Sequence, residues 1–74
     1  MYRFTLTGDG GALIDSADSL SMGIIGHSAV RQAEIVKSYA NVAVAQADRD
    51  GWARPYRVRI VNAYGTVIED REVS

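Results

Sequence analysis

The sequence predicts a small α+β domain of order ββαββ, an antiparallel four-stranded sheet with one long helix packed on one face. Three observations carry this expectation. Apolar and polar residues alternate with period two from Tyr2 to Thr7 and again from Tyr56 to Ile60. Each run is followed by a glycine turn, Asp9-Gly10-Gly11 or Asn62-Ala63-Tyr64-Gly65, and then by a short return segment. Between the two halves, Ala29 to Asp48 holds no glycine or proline, and alanine recurs at positions 29, 33, 40, 43, 45 and 47.

In the first strand Tyr2, Phe4 and Leu6 form the inward set and Arg3, Thr5 and Thr7 the outward one. Ala12 to Asp15 closes the first hairpin. Ser16 to Gly26 mixes Ser, Asp and Gly with the apolar pair Ile24-Ile25 and reads as a connection whose apolar end tucks under the sheet or starts the helix early. Ser28 is the best N-cap, with Ser21 an alternative further upstream. Arg31 stands where a capping box would place Glu. At about 100° per residue, Ala29, Ala33, Val36, Ala40, Ala43, Val44 and Ala47 share one stripe, the expected core face, and Asp50-Gly51 ends the helix. Pro55 can open a strand without donating to a ladder, and Tyr56, Val58 and Ile60 then alternate with Arg57, Arg59 and Val61. Thr66 to Arg71 returns.

A chain of 74 residues has room for one domain, residues 1–74, and buries only about 60% of its unfolded surface. The absence of cysteine removes disulfides and thiolate metal sites, and the single histidine, His27, leaves few acid-base or metal constellations. Eight basic and nine acidic residues nearly cancel, so no global field would draw the chain to nucleic acid or membrane. The N-terminal residues lack the apolar run of a signal peptide and no span of about 20 apolar residues follows, so the expected compartment is cytoplasmic.

The order of elements, with Arg3-Phe4 in the first strand, an Asp-Gly-Gly turn, an Ala-rich helix and the segment Arg59-Ile60-Val61-Asn62-Ala63-Tyr64-Gly65-Thr66-Val67, resembles a group of short bacterial proteins known only as a domain of unknown function. That group usually has aspartate where this chain has Asn62. In size, lack of cysteine and small-sheet build the chain is also similar to phage-encoded anti-CRISPR proteins, which implies an inhibitor and no catalytic role.

Three surfaces could carry function. If the alternation continues through the last strand with Ile68 inward, Arg3, Arg57, Arg59 and Arg71 emerge together on the face away from the helix, beside Thr5, Val61, Val67 and Glu69. Such a face suits bidentate contacts to carboxylates or phosphates. The plain alternative is that these arginines keep an open sheet dissolved. Ile35, Tyr39 and Val42 follow i, i+4, i+7 spacing beside the core stripe and widen the apolar arc to roughly 200°. The chain's own loop with Leu20, Met22, Ile24 and Ile25, a homodimer seam or a partner groove could cover them. Trp52 and Arg54, both hot-spot residue types, follow the helix, although a tryptophan there can also fold back over the core.

His27 beside Ser28 lacks the geometry of an activated nucleophile. Asp9, Asp15 and Asp18 do not match a calcium loop, and Asp9-Gly10-Gly11 lacks the Lys-Ser/Thr of a phosphate loop. The expectation is therefore a protein-binding module without enzyme activity, cofactor or metal. Its expected partner is a protein with an acidic surface. Nucleic acid on the arginine face and a structural homodimer are the alternatives.

Overall fold

The computed structural model describes residues 1–74. The strands are β1 (Arg3–Thr7), β2 (Leu13–Asp18), β3 (Tyr56–Val61) and β4 (Val67–Val73), and the helix is α1 (Ala29–Arg49), in the order β-β-α-β-β. They form one antiparallel sheet of order β2-β1-β3-β4. Each hairpin pairs with itself, and the inner strands β1 and β3 join the two halves. β2 and β3 both run against β1, so α1 carries the chain across one face of the sheet between two parallel strands.

Burial follows the alternation on the inner strands. Phe4 and Leu6 of β1 and Tyr56, Val58 and Ile60 of β3 are buried, and meet Val36, Ala40, Ala43, Val44 and Ala47 of α1. The alanines at 40, 43 and 47 are what let the helix backbone lie close to the sheet. Phe4 and Tyr39 add an edge-to-face contact, their ring centres 5.4 Å apart at 74°.

Ser28 caps α1: its Oγ accepts the Arg31 amide at 3.2 Å. At the other end Gly51 takes the left-handed conformation, φ 89°, as a helix stop requires. Loss of the cap in Ser28→Ala is expected to cost about 1 kcal/mol. In a domain of this size that lowers the thermal midpoint by roughly 4–8 °C. An unchanged melting curve would show that the cap contributes nothing.

Three expectations are corrected. β2 runs on to Asp18, because Ser16, Ala17 and Asp18 keep pairing with Thr5, Phe4 and Arg3. Ala29 is exposed instead of joining the core stripe, and Ala33 is only half-buried. The buried place in the first turns goes to Gln32, whose Nε2 donates to the carbonyls of Ile25 (3.2 Å) and His27 (2.9 Å). Finally, Arg71 lies directly opposite Val58, and Glu69 opposite Ile60, so both project toward the helix side. The cause is a β-bulge. Ile60 pairs with Glu69 but Val61 with Val67, which leaves Ile68 as an extra residue and shifts the alternation of everything after it by one. The glycine that allows this hairpin is Gly65, φ 79°.

The connection between β2 and α1 is anchored at Ser19, which is fully buried. Its Oγ accepts the Tyr2 amide at 2.8 Å, and its own amide donates to the Tyr2 carbonyl at 2.9 Å. Ile24 then enters the core and Met22 packs against it, while Leu20 and Ile25 stay exposed.

Candidate functional site

One face of the sheet has no layer over it. Pairing across the strands sets its residues in three rows, read from β2 through β1 and β3 to β4: Asp18, Arg3, Val61 and Val67; then Ser16, Thr5, Arg59 and Asp70; then Leu13, Thr7, Arg57 and Glu72. Three arginines therefore stand among three carboxylates. Formal charge on the face cancels, where alternation alone had placed four arginines on it. Arg71 is not among them: its guanidinium bonds Asn41 of α1 (3.0 Å) and Glu69 (3.4 Å) on the helix side.

The three arginines of the face are not equivalent. Arg57 forms an ion pair with Asp70 across the hairpin. Arg3 and Arg59 are exposed, and neither has a carboxylate within ion-pair distance. Arg3 still acts on Asp18 through space. The Asp18 carboxyl is held below its ordinary value chiefly by the amide of Ser21, which donates to it at 2.7 Å, with smaller help from the Ser21 hydroxyl and from Arg3. Arg3 and Arg59 are the two guanidiniums of the face free to take a carboxylate from outside.

Trp52 and Arg54 separate in role. Arg54 is committed within the chain: Nε and Nη2 reach the two oxygens of Asp48 at 3.2 and 2.7 Å, Nη1 donates to the Ser74 carbonyl at 3.0 Å, and the guanidinium lies 5.7 Å from the centre of the Tyr56 ring. The one proton of the Tyr56 hydroxyl is shared between two acceptors, Asp48 Oδ1 and the Trp52 carbonyl, each 2.8 Å from the oxygen. This cluster ties the end of α1 to the start of β3. Trp52 is 43% exposed and walls an open hollow of about 250 Å³ with Ile14, Asp15, Ala43, Gln46, Ala47 and Asp50.

The Asp48 carboxyl is pushed below 3.8, first by the Arg54 hydrogen bond and next by that of Tyr56. A depressed folded-state value means that the stabilisation is complete above the ordinary carboxylate value and disappears as the pH falls through the lower folded one. The thermal midpoint is expected to drop on acidification below about pH 3.8, and to do so less steeply in Asp48→Asn. Equal acid sensitivity in the two proteins would show that the clamp does not contribute.

The helix stripe also divides. Ile35 and Tyr39 pack against the core, and the Tyr39 hydroxyl reaches Asp15 at 3.3 Å. Burial, then the Asp15 charge, raises its pKa. Val42 alone is left mostly in solvent, 63% exposed. Met22 and Ile24 of the preceding loop pack against the same core, so the chain itself takes up most of the stripe.

His27 is exposed, and its carbonyl serves Gln32. No three His, Asp or Glu side chains come together in a group that could hold a metal ion, and no helix is long and apolar enough to cross a membrane. Comparison with known protein families, with curated proteins and with solved structures finds no match to this chain, so the functional reading rests on its own geometry.

Proposed function

We propose that the chain is a protein-binding module that works by covering part of a partner's surface with the open face of its sheet. The single observation that carries this reading is the mixed-charge face itself, with Arg3 and Arg59 unpaired on the two inner strands of the sheet. A phosphate backbone would meet Asp18, Asp70 and Glu72 as well as the arginines, which favours a protein over nucleic acid. The partner best suited presents carboxylates to Arg3 and Arg59 and cations to Asp18 and Glu72.

Four strands about 4.8 Å apart and some 20 Å long offer roughly 400 Å². A standard interface takes about 800 Å² from each side. A partner therefore covers the whole face, including exposed Leu13 and Val67 on its edge strands, and reaches beyond the sheet. An inhibitor of the anti-CRISPR kind, which the chain is similar to in size and build, would act by such occlusion. A homodimer through the helix flank has less to offer, since Val42 is the only residue of Ile35, Tyr39 and Val42 left exposed.

The test is affinity capture of the tagged domain from a bacterial lysate, with and without nuclease. The reading expects a protein retained in fixed proportion after nuclease treatment. Retention that disappears with nuclease would replace it with the nucleic-acid reading.

A further inference from the structure

We propose a second site, at the end of the domain where α1 begins, for the free C-terminus of a partner polypeptide that ends in an apolar residue. It shares Arg3 and Val61 with the sheet face but rests on the helix-side hollow, and it stands if the sheet-face reading fails.

Two adjoining hollows wrap the end of the sheet. The first, about 180 Å³, lies on the helix side and is lined by Met1, Tyr2, Ala29, Gln32, Asn62, Ala63 and Tyr64. The second, about 430 Å³, shares Met1, Tyr2, Asn62 and Ala63 with it and continues to Arg3 and Val61 on the open face. Together they make a mostly apolar cleft that is half-open to solvent, a form suited to an extended chain end.

Gln32 indicates what would bind. It is only 8% exposed, and its Nε2 is fixed by the carbonyls of Ile25 and His27. The amide orientation is thereby set, and Oε1 is a buried acceptor to which no group of the chain donates. Oε1 has almost no exposed surface, so a ligand N–H reaches it only as the Gln32 side chain turns toward the hollow that it lines, and would then supply the missing partner. Beside it stands the first turn of a 21-residue helix. The Arg31 amide is used by Ser28, whereas those of Ala29 and Val30 have no acceptor in the chain.

The site thus combines an unpaired acceptor on Gln32, the helix N-terminus at Ala29 for an anion, and the mostly apolar lining of the hollow. A polypeptide C-terminus supplies all three from one residue: the last amide N–H, the carboxylate and an apolar side chain. The residues before it run past Ala63 into the larger hollow, where Arg3 matches an acidic side chain. A free amino acid shares the terminal chemistry but would leave that second hollow unused.

The experiment is a binding screen of the intact domain against labelled hexapeptides with randomised last three residues, made once as free carboxylates and once as C-terminal amides. The proposal expects selection of peptides with an apolar last residue. It also expects about tenfold or greater weakening on amidation, and a shift of the Gln32 side-chain amide signals in NMR titration of the best peptide. Ala63→Phe, at an exposed turn position lining both hollows, is expected to abolish binding. Arg59→Ala, on the open face only, is expected to leave it unchanged. Failure to select any peptide, equal binding of amides and carboxylates, or free leucine binding as tightly as the best peptide would each overturn the proposal.

Discussion

Phe4→Ala is expected to remove most of the stability of this domain. Phe4 has no exposed surface, lies on the inner strand β1 and meets the Tyr39 ring edge-to-face. Removing a buried phenylalanine costs about 3–5 kcal/mol, the lost transfer free energy plus the cavity left behind. A chain of 74 residues has a total of about 4–11 kcal/mol to lose. The smaller neighbours cannot close the gap, because the facing helix positions 40, 43 and 47 are already alanine. Urea unfolding followed by circular dichroism should show a variant that is largely unfolded or has lost most of its midpoint concentration. A loss below about 1 kcal/mol would mean that α1 does not rest on β1.

The second large effect concerns binding. Arg3→Ala combined with Arg59→Ala should weaken a captured partner about 100-fold or more while the melting curve stays in place. Both side chains are exposed and neither forms an ion pair, so the folded chain gives up little when they are truncated. Arg57→Ala should do less, since its guanidinium is already engaged by Asp70. Isothermal titration with the purified partner separates the cases. Equal losses for Arg57 and for the Arg3 and Arg59 pair would show that internal pairing does not decide which arginines bind.

Much of this architecture was legible in the residues. Alternation in Tyr2 to Thr7 and Tyr56 to Ile60, the unbroken alanine-rich stretch and Ser28 identify the inner strands, the helix and its start, because inner strands buried on one face must alternate. The edges were harder to read. In β4 the run Glu69-Asp70-Arg71-Glu72 is charged on both sides of the strand, so nothing in its composition marks which residues face the helix. Gly65 marks the turn of this hairpin, yet the alternation does not show the bulge beside it, whose one extra residue moves Arg71 to the helix side and sets Asp70 and Glu72 opposite Arg59 and Arg57. A face of four arginines thus became a neutral lattice with two free ones.

Pairing at a distance was also out of reach. Nothing in the spacing of Asp48, Arg54 and Tyr56 announces the clamp, although Asp48 and Arg54 flank the helix end. Gln32 was hidden for a related reason: a lone glutamine among alanines and charges reads as a solvated residue until the Ser19 to Ser28 connection is seen folding back onto it.

The most direct test of the central claim is an NMR footprint of the captured partner on the isotope-labelled domain. The account predicts that the amide and side-chain signals perturbed most belong to Arg3, Thr5, Arg59 and Val61, with α1 little changed. A footprint centred on Ile35, Val42 or Trp52 would contradict it and move the binding surface to the helix side of the molecule.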